Sequence, residues 1–155
     1  MKLIIASGRD FEDNVLAVNS FMALIAEVNY TVITTVTQTK TIAEQNNDTK
    51  SIVVRENPFT EIVISHTKGD CCIGEFVANF YNIPVKRFIP DCDTLGKQSE
   101  YVRNVDMAEY VMSDYNDGLS QKGALLAFWD KKSKGIEHMI NIAKQKGLIV
   151  KTIHY

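Results

Sequence analysis

The stretch Ala124–Met139, ALLAFWDKKSKGIEHM, decides the fold. It opens on a continuous apolar run, Ala124 to Trp129, bracketed by Gly123 and by the polar segment Asp130-Lys131-Lys132-Ser133-Lys134-Gly135. A short apolar run with such flanks reads as a strand buried on both faces. Ile136, Met139, Ile140 and Ala143 then recur at helical spacing, and Gly147 stands just past the end as a stop signal. Strand, polar-glycine loop and helix start form the phosphate-binding arrangement of open α/β sheets. The first amides of a helix have no internal acceptor, and the helix dipole adds positive potential there. In this reading Ser133 caps the helix, Lys134 adds charge and Gly135 admits a ligand to the backbone. An ordinary strand–turn–helix with a solvated lysine loop has the same spacing.

The start of the chain repeats the pattern. Lys2–Ala6 reads as a buried strand, Ser7-Gly8-Arg9-Asp10 as a tight turn, and Asp10 or Asp13 as a helix cap. Val15, Val18, Phe21, Met22, Leu24, Ile25 and Val28 carry the helical period that follows. Strand, glycine turn and helix at the outset predict a doubly wound sheet. Arg9, at the carboxyl edge of the first strand, either faces a ligand crevice or pairs on the surface with Asp10 or Glu12.

Further strands are expected at Thr60–Ser65, Val85–Ile89 and Leu148–Ile153, with helices from about Cys71 to Tyr81 and from Gln98 or Ser99 to Val111. Tyr30–Asn57 differs. Threonine and β-branched residues flank the polar turn Gln45-Asn46-Asn47-Asp48, which reads as a β-hairpin. The predicted architecture is therefore a single α/β domain over residues 1–155. It is a Rossmann-like three-layer sandwich with a mainly parallel sheet and a β-hairpin inserted at about residues 31–56. Such an arm, polar on both faces, is suited to edge pairing and leads to the expectation of a homo-oligomer.

The chain has 155 residues, 45% hydrophobic and 23% charged, with a formal net charge of -2. This composition suits one globular domain and speaks against a protein that grips nucleic acid nonspecifically, which needs a basic face. No apolar run approaches membrane-spanning length, so a membrane partner is not expected and the cytoplasm is the default location. Cys71, Cys72 and Cys92 form neither a disulfide framework nor, with His66, a paired metal-ligand spacing; no metal and no cofactor is expected.

Three stretches together resemble the SLOG superfamily of Rossmann-like nucleotide-binding domains, in its YspA/YpsA-related branch. They are Ser7-Gly8-Arg9-Asp10-Phe11; Lys86–Met107 with Arg87-Phe88, Asp91, Gly96-Lys97, Arg103-Asn104 and Met107-Ala108-Glu109; and Ala127-Phe128-Trp129-Asp130 with Ser133-Lys134-Gly135 and His138-Met139. Relatives include the Lonely Guy phosphoribohydrolases and the DNA-processing protein A domains. The resemblance implies a crevice at the strand carboxyl ends that binds a nucleotide-like small molecule. The residues it marks are Gly8, Arg9, Lys68, Gly69, Arg103, Asn104, Trp129, Asp130, Ser133, Lys134 and Gly135.

Two departures bear on chemistry. The loop after the second strand, Ser65-His66-Thr67-Lys68-Gly69-Asp70-Cys71, keeps only one glycine of the branch's Gly-Gly-Ala-x-Gly-Ala-Asp pattern. The glutamate position of the Lonely Guy motif is Met139, which cannot transfer a proton. Glu75, Asp70 and His138 are the substitutes on offer. His138 reads either as a general base or as a packing residue, Trp129 as a base-stacking ring or as core, and Asp91 and Asp93 as ribose or metal contacts or as loop caps. The expected function is capture of a nucleotide or nucleotide-derived, ADP-ribose-like molecule without efficient catalysis. The alternatives are a nucleoside-phosphate N-glycosidase and a phage or mobile-element interaction protein acting through the hairpin.

Overall fold

A computed structural model describes residues 1–40, 57–66, 73–113 and 122–155. Five strands form one sheet: β1 (Lys2–Ser7), β2 (Glu61–Ser65), β3 (Val85–Phe88), β4 (Ala124–Trp129) and β5 (Ile149–His154). Their order is β3-β2-β1-β4-β5, and every pairing is parallel. The helices are α1 (Asn14–Lys40), α2 (Ile73–Tyr81), the single turn α3 (Cys92–Leu95), α4 (Ser99–Met112) and α5 (Lys134–Gln145).

The period-two alternation of the strands splits the core between two layers of helices. Leu3, Ile5, Ile62, Ile64, Ala124, Leu126 and Phe128 pack with Ala17, Phe21, Leu24 and Val28 of α1 and with Ile73, Val77 and Ala78 of α2. Ile4, Val63, Leu125 and Ala127 pack with Met107, Ala108 and Val111 of α4 and with Met139, Ile140 and Ala143 of α5. This is the expected three-layer α/β sandwich, and its sheet is parallel throughout the described residues. Among these residues, no helix is long and apolar enough to cross a membrane.

Local signals set the element ends. The Asp13 carboxylate accepts the Leu16 amide at 2.8 Å and caps α1. Asn82, at φ 53°, ends α2 before Pro84, and Gly147, at φ 75°, ends α5. On α1 the buried stripe is Ala17, Phe21, Leu24 and Val28, whereas Val15 and Met22 of the expected stripe are exposed.

The predicted hairpin needs correction. The backbone of residues 31–40 continues α1 rather than forming a strand. Thr31–Val36 is rich in β-branched residues, yet their helix penalty is only a few tenths of a kcal/mol each, about 0.7 kcal/mol at most. A helix already nucleated upstream gains one hydrogen bond for each residue added, which outweighs that preference. The second arm of the hairpin, with its turn, lies in 41–56, outside the described residues.

Candidate functional site

The chain runs outward from β1 to β2 and β3, then returns across the sheet to β4 and β5. The connections leaving β1 and β4 diverge, which opens a crevice beyond the carboxyl ends of those two central strands. A cavity of about 450 Å³ occupies this place. Its floor includes Ala6, Met107 and Met139, and its walls come from the turn after β1, the start of α4 and the start of α5.

The α5 wall is built by its preceding loop. Asp130 accepts the amides of Lys132 and Ser133 at 2.9 and 2.8 Å. Those two bonds hold its carboxyl below the usual range. Lys131 takes the left-handed conformation at φ 64°, and the Trp129 indole donates to the Ser133 carbonyl at 3.1 Å. The loop thus delivers the helix start rigidly to the crevice edge. The first helical bond runs from the Glu137 amide to the Ser133 carbonyl. The amides of Lys134, Gly135 and Ile136 therefore have no acceptor within the helix. Ser133 occupies the cap position, but its hydroxyl makes no capping hydrogen bond, contrary to expectation. Gly135 is not sealed: a Cβ placed there would stand 3.5 Å from the Glu100 carboxylate, an ordinary contact distance.

The α4 wall carries Glu100, Tyr101, Arg103 and Asn104. Asn104 is buried, and its amide is committed within the protein. Its oxygen accepts from the Arg103 guanidinium at 3.3 Å, and its nitrogen donates to the Gly135 carbonyl at 3.1 Å. The same nitrogen lies 3.3 Å from His138 Nδ1. An amide nitrogen only donates, so Nδ1 accepts and the imidazole is neutral. Burial also lowers the His138 pKa from its ordinary 6.5. Its ring packs edge-on against Tyr101, and His138 is not among the crevice-lining residues. Asn104 accordingly ties α4 to the start of α5.

Two predictions arise at this joint. Asn104→Ala is expected to cost about 1–3 kcal/mol, because it removes the buried side-chain bonds that join α4 to the start of α5 and takes away an acceptor of the Arg103 guanidinium. It should also let the His138 pKa rise towards 6.5 in an NMR titration of the ring, since both burial and the amide donor are reduced. In the wild type, a lowered folded-state pKa means that the unfolded chain binds the proton first. Stability from this group is complete above about pH 6.5 and is lost as pH falls from there through the folded value. Urea midpoints measured across that window should decline with acidification less steeply in His138→Gln.

The third wall is the turn after β1. Arg9 is 3.6 Å from Glu100, with 72% of its side chain exposed. An exposed pair of this kind contributes only about 0–1 kcal/mol, so a ligand can displace it at little cost. Arg9 and Arg103 both line the cavity, as do Lys134, Asp10, Glu100 and Asp130. Lys134 also pairs with Glu137 at 3.0 Å. Gly8 is overlaid by the Tyr155 hydroxyl, which leaves no room for a Cβ there. Tyr155 in turn packs on Phe11, and Phe11 stacks on Phe128. Burial raises the Tyr155 pKa, helped by the charges of Asp130 and Asp10.

The structure thus brings Gly8, Arg9, Arg103, Asn104, Asp130, Ser133, Lys134 and Gly135 together. Trp129 supports the loop and does not line the cavity. Glu75 does not line it either; it pairs with Arg87 at 2.6 Å. Lys68, Gly69 and Asp70 lie outside the described residues. Sequence reasoning missed Glu100 and Tyr155 as crevice residues. Glu100 had one legible signal, its place three residues before Arg103 on the same helix face, whereas Tyr155 reaches the site only through the alignment of β5 with β4. No family model matches the chain, and no curated protein and no solved structure matches it.

Proposed function

We propose that the protein binds a nucleotide or nucleotide-derived, ADP-ribose-like molecule in this crevice, seats a phosphate on the first amides of α5, and does not turn the ligand over efficiently. One observation carries the proposal. The amides of Lys134, Gly135 and Ile136 lack helical acceptors, and they border the same cavity as Arg9 and Arg103 at the point where the chain reverses across the sheet. A helix start is suited to anions for the reasons of dipole and free donors, and planar guanidinium groups are suited to phosphate oxygens. The resemblance to the SLOG superfamily points in the same direction. Weak turnover is supported by Met139, which stands at the catalytic glutamate position of the Lonely Guy motif and is 1% exposed, and by the engagement of Glu75 with Arg87 away from the cavity.

Thermal-shift measurements with AMP, ADP-ribose and NAD test the proposal, combined with chromatography for released base. A ligand at a hundred times its Kd adds about 2.7 kcal/mol, which corresponds to a rise of about 5–10 °C in Tm for a domain of this size. A rise with no free base is the expected result. No rise with any of the three compounds overturns the proposal, and base release favours a nucleoside-phosphate N-glycosidase.

A further inference from the structure

We infer that Tyr155 is the platform for the base of the ligand: the crevice takes compounds that carry a planar heteroaromatic ring, which stacks on the Tyr155 side chain, in preference to a bare sugar phosphate. This rests on the reading of the crevice as the ligand site, and it does not depend on where the phosphate is seated.

The ring is held by the core behind it. Phe128 of β4 is fully buried, Phe11 stacks on it with ring centroids 4.4 Å apart, and Tyr155 packs on Phe11 at 4.7 Å. Tyr155 is nevertheless 46% exposed, and it lines the cavity. An aromatic side chain backed by a rigid core loses little freedom when a second ring is laid on it, so the stacking energy is not spent on ordering the protein. The turn after β1 is shaped to admit this ring. A Cβ on Gly8 would collide with the Tyr155 hydroxyl, so the room that glycine leaves above the backbone is taken by the phenol. A ligand that reaches this corner meets the tyrosine rather than a bare backbone.

The electrostatics of the corner point the same way. Burial raises the Tyr155 pKa, and the charges of Asp130 and Asp10 add to the rise, so the phenol stays protonated and the ring neutral. Asp130 keeps its charge, because the loop amides of Ser133 and Lys132 hold its carboxyl below the usual range. The two carboxylates repel a phosphate placed beside the ring, whereas an uncharged base is not repelled. A second aromatic side chain on the cavity wall, Tyr101, is 42% exposed, but its ring is already engaged by His138 at 4.7 Å and 85°. Stacking accepts any base, since every base has a π-face, so Tyr155 selects a class of compound and not one nucleotide.

Calorimetry with AMP and ribose 5-phosphate tests the inference. Wild type should bind AMP at least about tenfold more tightly than ribose 5-phosphate, the size of effect expected for one stacked base. Tyr155→Leu, which keeps an apolar contact with Phe11, should weaken AMP by about tenfold or more and leave ribose 5-phosphate within about threefold of wild type. Tyr155→Phe keeps the ring and should hold AMP within about threefold of wild type. Stacking also lowers the ultraviolet absorbance of a base. The difference spectrum of bound AMP should show that decrease in wild type and Tyr155→Phe and lose it in Tyr155→Leu, which a change in packing alone would not produce. Equal binding of the two compounds by wild type, equal losses of both in Tyr155→Leu, or a preference for AMP that disappears in Tyr101→Leu and survives in Tyr155→Leu overturns the assignment. Absence of AMP binding to wild type overturns it as well; if ADP-ribose and NAD also fail to bind, the reading of the crevice falls with it.

Discussion

Gly135→Asp is expected to weaken ligand binding at least about 100-fold while leaving the protein folded. The new carboxylate would stand on the second residue of α5, against the amides proposed to hold the phosphate. Two unit charges 4 Å apart interact by about 4 kcal/mol at the effective dielectric of a partly exposed site, more than the factor of 100 requires. The fold should tolerate the change. Gly135 does not have the positive φ that demands glycine, and the nearest obstruction to a Cβ is the Glu100 carboxylate at 3.5 Å. An acid in the first helical turn gains about 0.3–1 kcal/mol from the dipole, which offsets only part of its repulsion by the Glu100 carboxylate. Stability should therefore fall by about 1–3 kcal/mol, against the roughly 5–15 kcal/mol of a typical domain, so the protein should still fold. Gly135→Ala, which adds bulk without charge, serves as the control. Calorimetric titration paired with thermal melts reads both quantities. Unimpaired binding by Gly135→Asp would place the phosphate somewhere other than α5.

Phe128→Ala is expected to cost about 3–5 kcal/mol, the ordinary penalty for emptying a large aromatic site in a core. Phe128 is fully buried on β4, with its ring stacked on Phe11 at a centroid distance of 4.4 Å. Against a total stability of about 5–15 kcal/mol this is a large fraction. With a urea slope of about 2 kcal/mol/M, the midpoint should fall by about 1.5–2.5 M with the slope unchanged. The effect extends to the site. Phe11 also packs on Tyr155 at 4.7 Å, and the Tyr155 hydroxyl lies over Gly8. Removing the innermost ring loosens the support of the Gly8-Arg9 turn, so ligand binding should weaken in protein that remains folded. A loss below about 1 kcal/mol would mean that the three rings do not act as one packed column.

Much of this molecule was legible before any coordinates. Each of the five strands lies within about one residue of its apolar or β-branched run. The central strands β1, β2 and β4 are apolar because both their faces are buried, whereas the edge strands β3 and β5, which have no buried residue, were legible from their β-branched and aromatic residues. The α5 stripe, its Gly147 stop and the polar loop before it are local patterns, and they survive intact. The segment at 31–40 was misread for an equally physical reason. Intrinsic preference is weak beside the propagation of an established helix, so threonine-rich sequence continues α1.

The amino-acid order by itself determined the strands, the apolar faces of most of the helices and the open amides of α5, since these follow from periodicities of two and 3.6 residues and from chain-local hydrogen bonding. Only the tertiary structure decided which side chains meet at the crevice. The order β3-β2-β1-β4-β5 sets Glu100 against Gly135 and Tyr155 over Gly8, and it ties Asn104 to the Gly135 carbonyl. These neighbours are 31 to 147 positions apart in the chain. No local pattern encodes such distances; they are fixed by the burial of both faces of the sheet.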